Sequence, residues 1–183
     1  RNVGTVVGNL VTASPANDTI SPLMAMDAEL LLRSKEGQRW VKIADFYKGV
    51  RKTNLRDNEL VADLRFKKLP TTSKSSFQKY LLRNIHGISV ANATTILEFE
   101  GERITNSRIT LGAVAPIIIR ATAAEEFLVG KMLDEETIKQ ASEFARMAAK
   151  PIDDVRGSKK FRTHLIPVLI ERTLNEIASG DWE

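Results

Sequence analysis

The sequence predicts an α+β fold in two parts. Residues 1–72 read as antiparallel and β-rich, and residues 73–183 as a small antiparallel sheet packed with three helices. Three observations carry this expectation. Strand-like runs separated by short turns occupy residues 28–114. Helix signals concentrate after residue 122. Between the two parts, Lys67–Ser76 is polar, with Pro70 inside a Thr/Ser cluster, and this places a domain boundary there.

The first part reads in order as follows. Ser21 and Pro22 suit the N-cap and first position of a short helix reaching Met26. Ala28–Lys35 reads as a strand, Glu36-Gly37-Gln38 as a turn, and Arg39–Ile43 as the returning strand, which makes a hairpin. Ala44–Gly49 reads as a helical turn carrying Phe46 and Tyr47 inward. Leu60–Phe66 is a further strand, with Leu60, Ala62, Leu64 and Phe66 in alternation. Read by themselves, Leu60 and Val61 are plain core residues.

In the second part a strand starts at Ser76, and alternation sets Phe77 and Lys79 on one face with Gln78 and Tyr80 on the other. An aromatic ring beside a cation suits contact with a flat polar ring, and it equally suits a strand end with a solvated lysine. Ile88–Phe99 is β-branched and apolar, as a central strand is, and Glu100–Arg103 turns into a return strand over Arg108–Val114. Thr122-Ala123-Ala124-Glu125 spells a capping box. Asp134 caps the next helix, which carries a stripe of Ile138, Ala141, Ala145 and Ala148 and stops at Pro151. Ser158 caps the last helix, whose buried face is Phe161, Leu165, Val168 and Leu169 and whose interior holds Pro167, an expected kink. Asp153, Asp154 and Arg156 read as an ion-paired turn joining the last two helices.

Composition excludes several classes. The chain has 183 residues, 43% of them hydrophobic and 27% charged, an ordinary balance for a globular protein. It contains no cysteine, which rules out disulfides, cysteine-ligated zinc and an iron–sulfur cluster held by this chain. His86 and His164 have no carboxylate at metal-ligand spacing. The net charge of +4 comes from 27 basic and 23 acidic residues mixed along the chain, and no basic cluster is interleaved with several aromatics, so a nucleic-acid groove is not expected. No run approaches the roughly 20 apolar residues of a membrane span. No export signal is visible, and a cytoplasmic location is expected.

The chemistry-bearing stretch is the opening one, Gly4-Thr5-Val6-Val7-Gly8-Asn9-Leu10-Val11-Thr12-Ala13-Ser14-Pro15-Ala16-Asn17-Asp18. Glycines with small hydroxyl and amide groups form ordinary loops, and they also form backbone N–H concavities for phosphate. The stretch is neither a Walker loop nor a dinucleotide GxGxxG fingerprint.

Its spelling resembles the second flavin-binding loop of the FAD subunit of molybdenum hydroxylases, the xanthine dehydrogenase and aerobic CO dehydrogenase family. Three further phrases continue the resemblance: Thr53, Leu55, Glu59, Leu60 and Val61; Arg108 to Pro116; and Pro151 to Leu165. The resemblance covers residues 1 to about 174 and implies that 1–72 is the C-terminal part of an FAD-binding domain and 73–183 a CO dehydrogenase flavoprotein C-terminal-like domain. In complete members an N-terminal subdomain carrying the first glycine-rich FAD loop comes before the point where this chain starts.

The resemblance also implies a cofactor set and partners. FAD would be held by Thr5, Val6, Val7, Gly8, Asn9, Thr12, Asp18, Leu60, Val61 and Lys79, with Asp18 accepting from cofactor hydroxyls and Lys79 at the polar edge of the isoalloxazine. A molybdenum-cofactor large subunit and a [2Fe-2S] iron–sulfur small subunit would complete a dimer of heterotrimers, passing electrons through FAD to NAD, a quinone or oxygen. The alternative is a docking fragment that does not hold FAD. Two departures stand out. The family usually carries Gly-Gly where this chain has Val7-Gly8, and a Cβ at Val7 narrows the approach to a pyrophosphate and resists positive φ. Some members carry the lysine one position earlier, at Gln78 here.

Overall fold

A computed structural model describes residues 4–83 and 87–180 of the chain. Three short helices and five strands make the first part. They are α1 (Val6–Val11), α2 (Ile20–Ala25), β1 (Glu29–Arg33), β2 (Gln38–Lys42), α3 (Ile43–Phe46), β3 (Tyr47–Gly49), β4 (Lys52–Thr53) and β5 (Leu60–Arg65). The second part contains β6 (Ser73–Leu81), β7 (Ser89–Glu100), β8 (Arg103–Gly112), β9 (Ile119–Arg120), α4 (Thr122–Leu128), α5 (Glu135–Ala148) and α6 (Lys159–Ser179). The sheets run in the orders β2-β1-β5, β3-β4 and β6-β7-β8-β9, and every strand pair is antiparallel. This is the expected α+β architecture.

One core of the first part lies between α1, α2, α3 and the β1 sheet, centred on Leu10, Ile20, Leu30, Leu32, Ile43 and Phe46. The second core lies between the β6–β9 sheet and the three helices α4 to α6, as the alanine stripe of α5 implies. Ile138, Ala141 and Ala145 of that stripe are buried. The other face of the β7–β8 pair is also covered, by α2. There the Ser21 hydroxyl lies 2.9 Å from both Thr94 Oγ1 and Thr110 Oγ1, and Thr110 Oγ1 donates to the Ser21 carbonyl at 2.9 Å. These hydroxyls are buried, and satisfying one another is what makes that burial tolerable.

Several sequence expectations are corrected. The opening stretch is no loop: residues 6–11 are helical. Ser21 is no N-cap; α2 starts at Ile20, with Thr19 before it, and Ser21 is spent on the threonine cluster. The capping box at Thr122 does not form, since Ala121 is the N-cap and makes no side-chain bond. Glu125 instead turns to the sheet edge, where Oε1 accepts from the Ile109 backbone N–H at 2.7 Å and from Arg120 Nε at 2.5 Å. A buried acceptor for an unpaired strand N–H outcompetes a helix-end bond that water can replace. The strands starting at Ser73 and Arg103 are longer than their apolar runs indicate, because cross-strand bonding extends through polar residues.

Alternation also fails in β5. The β1–β5 ladder shifts register, pairing Leu31 with Asp63 and Leu32 with Val61, so Ala62 is an extra residue. The bulge turns Val61 inward at 8% exposure and leaves Leu60 60% exposed. In α6 the buried face is Arg162, Leu165, Ile166, Leu169, Ile170, Thr173, Leu174 and Ile177; Val168 is only half-buried. The helix runs unbroken past Pro167, which stands half-buried among His164, Val168 and Glu171. Asp134 and Ser158 cap α5 and α6 as expected, accepting from Thr137 N and Phe161 N.

Candidate functional site

Helix α1 is built to present its first turn. Thr5 is its N-cap in extended conformation, and Thr5 Oγ1 accepts from the Gly8 backbone N–H at 2.9 Å. Gly8 suits this cap, because a Cβ at that position would lie 3.0 Å from Thr5 Oγ1. The N–H groups of Val6 and Val7 have no intrahelical acceptor, as holds for any first turn, and such groups favour an anion. Thr5, Val6 and Gly8 are exposed.

Val7 is not asked to adopt positive φ. It is helical, while the non-glycine residues with positive φ among those described are Ala13, Asp27, Arg51 and Ala113. Its half-buried side chain packs against the core that contains Val61, so α1 and β5 meet there. Leu60, next along β5, stays exposed.

The loop after α1 is closed by its own polar groups. Asn17 Nδ2 donates to the Asn9 carbonyl at 2.6 Å and to Thr12 Oγ1 at 2.5 Å, and Thr12 Oγ1 donates to the Asn9 carbonyl at 2.8 Å. Thr19 Oγ1 donates to Asn9 Oδ1. The side chains of Asn9 and Thr12 therefore shape the loop, a role that pattern alone does not separate from ligand contact.

Asp18 follows at the end of this loop. Its Oδ2 accepts from Lys79 Nζ at 2.6 Å and its Oδ1 from Ser89 Oγ at 2.7 Å. Lys79 lies on the sheet face opposite the three helices. Gln78 lies on the helix face, donating to Glu176 Oε2 at 2.8 Å, and Tyr80 stacks edge-on against Phe161 with ring centroids 5.6 Å apart. The structure thus brings Asp18 and Lys79 together directly, and Val7 and Val61 into one core, while Leu60 and Lys79 stay in different sheets.

The opening and closing phrases of the sequence also meet. A cavity of about 560 Å³ is lined by Asn9, Asn17 and Asp18 on one side and by Ile152, Asp154, Arg156 and Arg162 on the other. Arg51 and Ala113, both at positive φ, line it too. The Arg51 N–H donates to the Ala13 carbonyl at 3.0 Å and the Ala113 N–H to the Pro15 carbonyl at 2.7 Å. Arg162, 3% exposed, donates to the Ala113 carbonyl at 2.6 Å and to Asp154 Oδ1 at 2.5 Å. Arg156 pairs with the other oxygen of Asp154 at 2.8 Å, and Asp153 Oδ1 accepts from the Lys159 N–H at 2.7 Å, so the expected ion-paired turn is present. Burial works against ionisation of Asp154, but the Arg156 N–H and the Arg162 and Arg156 guanidiniums outweigh it and hold the carboxyl down at about 2.

Among the described residues no group of His, Asp and Glu could hold a metal, and no helix is long and apolar enough to cross a membrane. His164 is exposed, and His86 lies outside the described residues.

The profile of the CO dehydrogenase flavoprotein C-terminal domain matches residues 76–177, more than half of the chain. The chain belongs to the CO dehydrogenase flavoprotein family. A second profile, the FAD binding domain in molybdopterin dehydrogenase, matches residues 1–68 of this flavoprotein chain. It is similar to the glyceraldehyde dehydrogenase medium chain of Sulfolobus acidocaldarius, 29% identical over 97% of this chain and 63% of the relative. It is also similar to the putative xanthine dehydrogenase FAD-binding subunit XdhB of Escherichia coli, 29% identical over 98% of this chain and 62% of the relative. Among solved structures, carbon monoxide dehydrogenase from Hydrogenophaga pseudoflava, in a form lacking the Mo-pyranopterin moiety, superposes with a TM-score of 0.92 at 28% identity, over 98% of this chain and 62% of that one. Quinoline 2-oxidoreductase from Pseudomonas putida 86 does so with a TM-score of 0.90 at 30% identity. The flavoprotein chain spans about 62% of the length of the relatives it matches.

Proposed function

We propose that this flavoprotein chain is part of the FAD-binding subunit of a cytoplasmic molybdenum hydroxylase. In that role it takes electrons from iron–sulfur clusters on a small subunit and passes them through FAD to an acceptor such as NAD, a quinone or oxygen. The complex would include a molybdenum-cofactor large subunit and assemble as a dimer of heterotrimers. The observation that carries the reading is the convergence of the α1 phrase and the β6 lysine on Asp18, 61 residues from Lys79 in sequence.

The residues present fit the cofactor. Gly8 and Thr5 keep the first turn of α1 capped but exposed, which suits a pyrophosphate against the Val6 and Val7 N–H groups. Asn9 and Thr12 hold the loop that follows, and Val11, 39% exposed, offers apolar surface beside it. The Asp18 carboxylate has acceptor capacity beyond its two bonds and suits ribityl hydroxyls. Exposed Leu60 and the backbone of Val61 suit a flat ring, and Lys79 suits its polar edge. Bound FAD supplies the redox chemistry; the protein binds and orients it.

The test is titration of FAD into the full-length subunit and into residues 1–183 alone, read by calorimetry and by flavin absorption. The full-length subunit is expected to turn yellow and bind tightly, and the 1–183 span weakly or not at all. A full-length subunit that stays colourless with added FAD would overturn the reading in favour of a docking role. The exposure of Thr5, Val6, Gly8 and Leu60, one open side of the site, is the observation that favours this second reading for the span alone.

A further inference from the structure

Ser89 is the first residue of β7, fully buried, and its hydroxyl reaches Asp18 at 2.7 Å. No regular strand would place it there. Directly opposed residues in an antiparallel pair share a sheet face. Tyr80 opposes Ala91 on the helix face, and Lys79 opposes Asn92 on the face toward Asp18. With strict alternation, Ser89 would fall on the helix face with Ala91 and Ala93.

The β6–β7 ladder shifts register between Tyr80 and Leu81, so that Leu81 opposes Ser89 and Val90 becomes the extra residue. Val90 and Ala91 both enter the core under the helices. Ser89 is thereby turned onto the face of Lys79. A bulge that re-aims one side chain is a recurrent device beside functional sites.

The result is a two-sided clamp. Asp18 is 39% exposed in its side chain, sits on a loop, and would otherwise hold its carboxylate only through a partly exposed lysine. A lysine ammonium tolerates a range of approach directions, whereas a second, buried donor fixes rotation about the carboxyl axis. We infer that Ser89 is a positioning residue of the flavin site: aimed by the Val90 bulge, it holds the Asp18 carboxylate in the orientation that accepts from the cofactor's sugar-alcohol hydroxyls. This rests on the FAD reading above.

The test uses the full-length subunit with FAD as the probe. Ser89→Ala, Ser89→Cys, Asp18→Asn and the Ser89→Ala/Asp18→Asn double variant are compared by calorimetry, flavin visible circular dichroism and thermal unfolding. Ser89→Ala is expected to weaken FAD about tenfold, the effect of losing one hydrogen bond to a charged group. Ser89→Cys, with its weak S–H donor, should lie between Ser89→Ala and the parent. Adding Ser89→Ala to Asp18→Asn should cost little more, since the two act through one carboxylate. A purely structural role predicts instead that affinity losses add and that the flavin signal of the bound fraction is unchanged, and either result overturns the inference. Should Ser89→Ala unfold, the Ser89→Cys titration decides alone: parent affinity with a parent spectrum overturns it. A parent subunit that binds no FAD overturns the cofactor reading, whereas a parent that binds, weakened by Asp18→Asn but indifferent to Ser89→Ala, overturns only the role of Ser89.

Discussion

Lys79 and Asp18 lie 61 residues apart in sequence and 2.6 Å apart in space, and their ion pair is a direct bond between the two parts of the chain. Both side chains are over a third exposed, at 35% and 39%, so the pair belongs to a class worth at most about 1 kcal/mol of stability. Asp18→Ala in the full-length subunit should therefore lose little stability through the lysine but about 1–3 kcal/mol through the buried Ser89 hydroxyl left without its acceptor, and should weaken FAD by about 1–3 kcal/mol, the range for hydrogen bonds to a charged group. Calorimetry reads the second effect and differential scanning the first. An unchanged FAD affinity removes Asp18 from the site.

The Arg162–Asp154 pair should behave in the opposite way. Arg162 is 3% exposed and also holds the Ala113 carbonyl. Asp154→Ala leaves that guanidinium buried without its counter-charge, and a loss of about 3–5 kcal/mol is expected in urea unfolding. A loss below about 1 kcal/mol would place the pair with the surface bridges instead.

Acid should unfold the protein through two named carboxyls. The Arg39 guanidinium, then the Arg56 N–H, holds Glu59 at about 2, and Asp154 lies at about 2 despite the opposing effect of burial. Unfolded carboxylates titrate near about 4. Both folded values are depressed, so the stabilisation is present above about pH 4 and is lost as pH falls through about 2. Denaturant midpoints measured across this range should drop, and the drop should shrink in Glu59→Gln and in Asp154→Asn. An equal pH slope in the variants would refute the assignment.

Gly112 sits against the amide of Asn92. A Cβ there would meet Asn92 Oδ1 at 2.2 Å, and Asn92 is 1% exposed, with no hydrogen-bond partner for either amide atom among the described residues. Gly112→Ala is expected to destabilise by about 1–3 kcal/mol through overpacking. Asn92→Ala removes the obstructing amide, so the double variant should be more stable than Gly112→Ala alone. Chemical denaturation of the three variants checks this, and simple additivity would refute the steric account.

Pro167 offers a gain. Its ring nitrogen cannot donate to the Thr163 carbonyl one turn earlier, and it is not among the buried residues of α6. Pro167→Ala should restore that bond and raise stability by about 1 kcal/mol, less than the roughly 3 kcal/mol of an unadapted helix interior. A lower melting temperature in this variant would show that the proline ring is itself part of the packing.

The sequence by itself determined the α+β class, the caps Asp134 and Ser158, the α5 stripe and the ion-paired turn around Asp154. Each of these depends on residues within a few positions of one another, or on a period the chain carries in one dimension. Its diagnostic phrases also determined the family. Tertiary structure alone decided the rest. The opening stretch became a helix because Thr5 caps it and Leu10 and Val7 have a core to enter, a partner surface that no local reading supplies. Ser21 and Glu125 gave up helix-end roles for acceptors and donors on strands 73 to 89 and 16 residues away. The bulges at Ala62 and Val90 reversed which side chains face inward, exposing Leu60 and aiming Ser89. A bulge is a property of two strands in register, and one strand's alternation does not encode its partner's. The meeting of Asp18, Lys79 and Ser89 depends on that register, so only the folded chain assembles it.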